Sequence, residues 1–133
     1  MLLNLDSCDR NRYNRCDHIE RVKVMTINEY QQLAMRTLNP ELNKKDILIN
    51  GVMGLCGESG EAIDIVKKWL AQGHNLDKGN LAKELGDIAW YLAETAYALD
   101  IPLESILQGN IDKLRKRFPE GFDTQRSVDR ISE

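Results

Sequence analysis

Two long helical patterns joined by a short break constrain the fold of this chain more than any other feature. Over residues 45–71 the apolar positions recur with the 3.6-residue period of an amphipathic helix, and a second such pattern covers residues 78–99. Gly73 is placed to end the first helix, because glycine adopts the left-handed backbone conformation of a helix C-terminus without strain. Since the break is short, we expect the two helices to fold back on each other as an antiparallel hairpin.

Further helices are predicted on both sides of this hairpin. Thr26 begins a capping-box pattern that predicts a helix over residues 27–38. Pro102 suits the first turn of a helix over residues 103–117, and the tail contains a short helical pattern at about 126–131. No segment shows the alternation of a strand. We therefore expect an all-α protein, an antiparallel bundle of four to five helices.

The apolar stripes of the two long helices predict which residues face the core. In the first helix the stripe contains Leu48, Val52, Leu55, Ala62, Val66 and Trp69 or Leu70. In the second helix it contains Leu81, Leu85, Ile88, Leu92 and Ala96. Asp64 lies opposite the first stripe and is expected to face solvent.

Glycine recurs every third residue in the first long helix, at Gly51, Gly54, Gly57 and Gly60. Each glycine costs about 1 kcal/mol relative to alanine inside a helix. One interpretation is a weak or kinked helix. We favour the other, that a neighbouring helix or a ligand approaches closely, because the glycines bracket a pair of acidic residues.

The length of 133 residues predicts one domain, which we expect over residues 25–133 after a flexible N-terminal arm over residues 1–24. The arm alternates basic and acidic residues and has no helical or strand period. Cys8, Cys16 and His18 are an alternative zinc site within it, but their spacing is unusual and a fourth ligand is missing.

Charge and composition exclude several classes of protein. The formal net charge is -3, which counts against a broad basic surface for nucleic acid. No apolar run approaches the roughly 20 residues that cross a bilayer, so no membrane partner is expected. The three cysteines form an odd number without a disulfide framework, which is typical of a reducing compartment. We expect a cytoplasmic protein.

Two pairs of carboxylates occupy the hairpin. Glu58 and Glu61 are three residues apart on the first helix, and Glu84 and Asp87 are three apart on the second. Residues at this spacing share a helix face, so the folded hairpin can bring all four together. Four converging negative charges repel one another, and a hard divalent cation such as Mg²⁺ or Mn²⁺ is their natural counter-ion. Glu58 and Glu61 have the stronger case, because Glu58 falls within the apolar arc and Glu61 at its edge, where an unpaired acid is costly.

Two other interpretations of the carboxylates remain open at this point. Lys68 or Lys83 could pair with them in purely structural salt bridges. A di-iron carboxylate site is the second alternative, but such sites use Glu-x-x-His pairs. The two histidines, His18 and His74, lie outside the helical faces, which disfavours iron.

The residues around the carboxylates resemble the all-α nucleoside triphosphate pyrophosphohydrolases, the MazG-like superfamily that includes the dimeric dUTPases. The resemblance covers about residues 26–122. The matching stretches are Gly-Glu-Ser-Gly-Glu at 57–61, Glu-Leu-Gly-Asp-Ile-Ala-Trp-Tyr at 84–91 and Asn-Ile-Asp-Lys-Leu-Arg-Lys-Arg-Phe-Pro at 110–119. The first 24 residues have no place in this pattern.

The resemblance implies Mg²⁺-dependent cleavage of a nucleoside triphosphate between its α and β phosphates, giving a nucleoside monophosphate and pyrophosphate. By the match, the four carboxylates Glu58, Glu61, Glu84 and Asp87 hold the metal. A carboxylate beside the metal can also orient or deprotonate the attacking water. We assign that role to Glu61.

The phosphates of such a substrate also need basic or polar donors. The family pattern places Asn110 and Lys113 at the substrate, and Arg117 shares their helix face. The alternative is a solvated last turn whose cations complement the helix dipole. Lys68 is a further phosphate candidate. Tyr91 is a candidate for stacking on the base, although a role in the core or at an interface is an equal alternative.

Two rival functions remain. Phosphoribosyl-ATP pyrophosphohydrolase has the same fold with similar acidic pairs, and a non-catalytic oligomerisation or regulatory module could keep a vestigial site. Four helices of this size leave apolar surface uncovered, so we expect a homodimer or homotetramer, as the resemblance also implies.

Overall fold

The computed structural model describes residues 24–129, which contain five helices and no strand. The helices are α1 (Ile27–Met35), α2 (Lys44–Ala71), α3 (Lys78–Ala98), α4 (Leu103–Arg117) and α5 (Thr124–Val128). The predicted all-α fold is confirmed. Residues 1–23 of the expected arm, with Cys8, Cys16 and His18, lie outside the described residues. Within the described range, no helix combines the length and the apolar character needed to span a bilayer.

Local sequence signals determine where most helices begin and end. The capping box at α1 is formed as predicted: the Glu29 amide donates to the Thr26 hydroxyl and the Thr26 amide donates to the Glu29 carboxylate. Gly73 follows α2 with a φ of 71°, as expected of a helix-ending glycine. α1 stops at Met35 rather than Leu38, because the next three amides bond to carbonyls three residues back and the Thr37 hydroxyl also donates to the Ala34 carbonyl.

α2 and α3 form the predicted hairpin, and two glycines set their separation. A Cβ on Gly51 would lie 3.2 Å from the backbone nitrogen of Thr95, and a Cβ on Gly54 would overlap the ring of Tyr91. The prediction of close approach is confirmed at these two positions. At Gly57 and Gly60 a Cβ would meet no described protein atom within 4 Å.

α1 and the start of α4 close the other side of α3 around a small core. The buried residues of this core are Ala34, Ala93, Ala96 and Leu103. Trp90 packs against them and donates its indole N–H to the Ala34 carbonyl at 3.1 Å and to the Thr37 hydroxyl at 2.8 Å. The half-buried indole therefore both fills space and ties α3 to the end of α1.

The prediction of which residues of α2 and α3 face the core was partly wrong. Several of its members are exposed instead of buried: Val52, Val66, Trp69 and Leu70 on α2, and Leu85 and Leu92 on α3. On α2 the reason is that α3 packs against the side carrying Gly51, Gly54 and Glu58. That side lies roughly a quarter of a turn from the centre of the apolar stripe at 3.6 residues per turn. The helix thus has one face toward α3 and a second, apolar face that the described chain leaves open.

Candidate active site

Three carboxylates meet on the hairpin, one from α2 and two from α3. One oxygen from each of Glu58, Glu84 and Asp87 lies within 4.8 Å of the other two. Glu58 and Glu84 are half-buried, whereas Asp87 is exposed. The glycine packing explains the convergence, since Gly54 lets α3 approach α2 one helical turn before Glu58.

The electrostatics of this group favour a bound cation. Partial desolvation raises the pKa of Glu58, and the charges of Glu61, Asp87 and Glu84, with a hydrogen bond shared with Glu84, raise it further. Within residues 24–129, the ion pairs formed by lysine and arginine involve other acids than these three. The structural salt-bridge interpretation is therefore not supported for the described part of the chain. A set of oxygen donors without a cationic partner fits Mg²⁺ or Mn²⁺.

Glu61 lies beside this group and is not one of its three members. Its side chain is exposed and lines a cleft, and its charge is one of the causes of the raised pKa of Glu58. Of the four predicted metal ligands, the structure thus brings three together and places the fourth next to them, facing the open space. Its carboxylate can therefore contact a water molecule or a substrate in the cleft.

The cleft runs along the groove between α2 and α3 and has a volume of about 460 Å³. Its α2 wall contains Gly57, Gly60, Glu61, Asp64, Ile65 and Lys68, and its α3 wall contains Asn80 and Glu84. Because Gly57 and Gly60 have no side chains, this stretch of the wall is bare backbone. The predicted phosphate ligand Lys68 therefore shares one cleft with Glu61 and Glu84.

Asp64 and Asn80 are cleft residues that sequence reasoning missed. Asp64 was expected on the solvated face, but the packing direction of α3 turns it into the cleft wall. It pairs with Lys67 and with Lys68, whose Nζ lies 2.6 Å from Asp64 Oδ2, and these two ammonium groups lower the pKa of Asp64 to about 2. Asn80 is held by Asp77, to which it donates at 2.8 Å. The spacing of Asp64 from Lys68, four residues, was the signal available in the sequence.

Two tyrosines lie near the acidic group without lining the cleft. Tyr91 packs its ring over Gly54 and meets Trp90 edge-on, with ring centroids 5.0 Å apart, which is the core alternative for this residue. Tyr30 of α1 is partly buried against the small core. Burial raises the pKa of its phenol, and the charge of Asp87 raises it further, so α1 also faces the acidic group.

The candidates on α4 lie apart from the cleft within one chain. Asn110 and Lys113 are exposed, Arg117 is half-buried against Phe118, and none of the three is among the residues that line the cleft. α4 packs against α1 and α3. Within one chain, Lys68 therefore shares a cleft with members of the acidic region, whereas these three side chains of α4 do not line that cleft.

The fold and the site together define an all-α protein with an acidic, metal-compatible cleft on a helical hairpin. The family model of the MazG nucleotide pyrophosphohydrolase domain matches residues 50–122. The match covers more than half of the chain and spans α3, α4 and most of α2. The chain belongs to this family, as its motifs predicted.

One curated protein similar to the chain is the Gene 37 protein of Mycobacterium phage L5, whose name states no activity. The two are 40% identical over 73 residues, which are 52% of this chain and 64% of the phage protein. The chain thus matches less than two thirds of that relative. No solved structure matches the chain significantly.

Proposed function

We propose that this protein is a Mg²⁺-dependent nucleoside triphosphate pyrophosphohydrolase that converts a nucleoside or deoxynucleoside triphosphate to the monophosphate and pyrophosphate. The convergence of Glu58, Glu84 and Asp87 beside an open cleft is the observation that carries the proposal. Membership of the MazG family supports the reaction class. Removal of surplus or non-canonical nucleotides is the role that we infer for it.

In this proposal the three converging carboxylates hold the metal, Mg²⁺ or alternatively Mn²⁺, and Glu61 completes the set from the cleft side. When bound, the ion neutralises phosphate charge and lowers the pKa of a coordinated water. The remaining steps belong to the protein. Glu61 orients the attacking water and accepts its proton as the water oxygen bonds to the α phosphorus. The bond to the bridging oxygen breaks, and that oxygen leaves with pyrophosphate.

Substrate phosphates are bound, in the same proposal, by Lys68 in the cleft and by Asn110, Lys113 and Arg117 of α4. Because α4 lies apart from the cleft within one chain, its contribution requires a movement of α4 or a second copy of the chain. Tyr91 contributes by supporting the hairpin beside the acids, with base stacking as the alternative.

We also propose that the protein is a homodimer or homotetramer. The open apolar face of α2 contains Val52, Ile63 and Leu70, which are exposed to between 49% and 77%. α4 carries a second row of exposed apolar residues, Ile106, Leu107, Ile111 and Leu114. Apolar surface of this extent on a small protein is typical of an interface. A cytoplasmic location is proposed from the odd number of cysteines alone.

A panel of nucleotides with Mg²⁺, scored for pyrophosphate release, tests the activity. The panel contains the canonical and several modified nucleoside triphosphates together with phosphoribosyl-ATP. We expect turnover of at least one nucleoside triphosphate by the wild type and loss of at least about 100-fold in Glu61→Gln. Glu41→Gln, a matched change on the loop before α2, is the control and should keep full activity.

Three results would contradict the proposal in different ways. Turnover of phosphoribosyl-ATP alone would assign the protein to that rival activity. Absence of any turnover would favour a non-catalytic module. Full activity of Glu61→Gln would remove Glu61 from the mechanism while leaving the reaction in place.

A further inference from the structure

The cleft has two ends of opposite charge. At one end Glu61 and Glu84 line the cleft, and Glu84 belongs to the acidic group with Glu58 and Asp87. At the other end the carboxylate of Asp64 is shared by the ammonium groups of Lys67 and Lys68. One negative and two positive charges leave an excess of one positive charge. Lys68 follows Glu61 by seven residues on α2, which corresponds to about 10 Å along the helix axis. A ligand that binds at the acidic end can therefore extend toward a cationic end.

The shape of the cleft favours a ligand that runs along α2. Gly57 and Gly60 leave the α2 wall without side chains at two positions near the acidic end, where a Cβ would meet no described atom within 4 Å. Asn80, from the first turn of α3, closes the cationic end, where its carbonyl oxygen accepts a bond from Lys83 at 3.2 Å. Lys83 adds a third ammonium group near this end.

The ion pair of Asp64 is suited to exchange. The side chains of Asp64 and Lys68 remain 39% and 47% exposed, respectively. An ion pair that is so exposed contributes little to the stability of a protein. Hydrogen bonds from an ammonium to a phosphate oxygen are charge-assisted and strong. An incoming phosphate can therefore replace Asp64 as the partner of Lys68 at small cost. The strongly lowered pKa of Asp64 is consistent with a carboxylate that serves as a counter-ion.

We propose that the Lys68 end of the cleft is the subsite for the terminal phosphates, the part of the substrate that leaves as pyrophosphate. In this arrangement Asp64 is a positioning residue: it holds Lys68 in the cleft when the subsite is empty and competes with pyrophosphate for it. The assignment rests on the proposed function for the direction of the substrate. A purely structural role would instead be that Lys67 and Lys68 complement the negative end of the α2 dipole.

Binding of pyrophosphate and of a nucleoside monophosphate, measured by titration calorimetry with Mg²⁺ on the full chain, tests the subsite without turnover. Lys68→Ala should weaken pyrophosphate binding roughly tenfold and leave monophosphate binding within about twofold. Lys68→Arg should retain most of the affinity. Asp64→Asn should bind pyrophosphate about three- to tenfold more tightly, because a competing negative charge is removed. The double variant should show no gain over Lys68→Ala.

Lys44→Ala is the matched control. Lys44 forms the same kind of exposed pair, with Asp100, about 36 Å away along α2, and its removal should leave both affinities unchanged. Equal weakening of pyrophosphate and monophosphate by Lys68→Ala would overturn the assignment. Weaker pyrophosphate binding by Asp64→Asn, or no measurable pyrophosphate binding by the wild type, would do the same.

Failure of the subsite and failure of the proposed function give different results. A wild type that binds pyrophosphate through Lys68 but hydrolyses no nucleotide would contradict the proposed function and keep the subsite. A wild type that hydrolyses a nucleotide, with pyrophosphate affinity and KM unchanged in Lys68→Ala, would contradict only the subsite. If Lys68→Ala loses affinity for pyrophosphate but unfolds in urea like the wild type, a purely structural role of Lys68 at the α2 dipole is excluded.

Discussion

Asn50 of α2 donates its side-chain amide to both carboxylate oxygens of Glu94 on α3, at 3.0 and 3.1 Å. Glu94 is fully buried, next to Thr95, whose backbone lies against Gly51. A buried carboxylate needs hydrogen bonds to offset the loss of its hydration. The pair therefore specifies the register of the hairpin two turns before the acidic site.

Asn50→Ala should destabilise the protein by about 1–3 kcal/mol, because a buried acceptor loses a hydrogen-bond partner. Urea unfolding measures the change. Asn28→Ala is the control, since Asn28 donates to the exposed Glu104 and its loss should cost no more than about 0.5 kcal/mol. Equal costs for the two variants would show that burial of Glu94 adds nothing to the energy of this contact.

Two glycines of α2 should respond to alanine with opposite sign. Gly54→Ala places a methyl group into the Tyr91 ring, and overpacking of this kind costs about 1–3 kcal/mol. Gly60→Ala meets open space and should stabilise the helix by up to about 1 kcal/mol. Unfolding free energies of both variants in urea give the test. A stabilised Gly54→Ala would mean that the close packing of α2 and α3 is not present in solution.

The raised pKa of Glu58 predicts how the metal-free protein responds to pH. The folded state holds the Glu58 proton more tightly than the unfolded state, so this group's contribution to stability is lost as pH rises from about 4.5 through the raised pKa. Above that range Glu58→Gln should melt at a higher temperature than the wild type in EDTA. Mg²⁺ should raise the melting temperature of the wild type more than that of the variant.

Thermal melts across pH 4–8, with EDTA or with Mg²⁺, measure both effects. Glu41→Gln removes one exposed acid elsewhere and should follow the wild type under both conditions. A Glu58→Gln variant that is less stable than the wild type at pH 7 in EDTA would contradict the repulsion among the acids. If Mg²⁺ raised the melting temperatures of Glu58→Gln and the wild type equally, Glu58 would not be a metal ligand.

Lys113→Ala tests whether α4 contributes to substrate binding. If Lys113 contacts a phosphate, KM for the hydrolysed nucleotide should rise roughly tenfold. Lys116→Ala, a neighbouring exposed lysine of the same helix, is the control and should leave KM unchanged. Identical KM values for Lys113→Ala and the wild type would limit the phosphate ligands to the cleft.

The apolar face of α2 predicts association of the wild type. Gel filtration with light scattering should give a mass above the 15.2 kDa of one chain. Ile63→Glu introduces a charge at the centre of this face and should lower the mass toward 15.2 kDa, since a buried unpaired charge is costly. Gln72→Glu adds the same charge beyond the face and should not change the assembly. A monomeric wild type would contradict the oligomer.

The helices of this protein, apart from some of their ends, and its family were predictable from the sequence. Helix periodicity, the capping box at Thr26 and the glycine at Gly73 act within one or two turns of chain, so they can be read without the fold. The motifs around Glu58 and Glu84 likewise identified the family.

The direction in which α2 faces α3 could not be predicted from the sequence, because it depends on how the two helices pack. The apolar stripe of α2 predicted one contact face, but packing follows the glycines Gly51 and Gly54, because the backbones approach most closely where side chains are absent. This rotation exposes part of the stripe, leaves Glu61 beside the three converging acids and places Asp64 in the cleft wall. Periodicity gives the apolar side of a helix, whereas the partner's shape selects which part of it is buried.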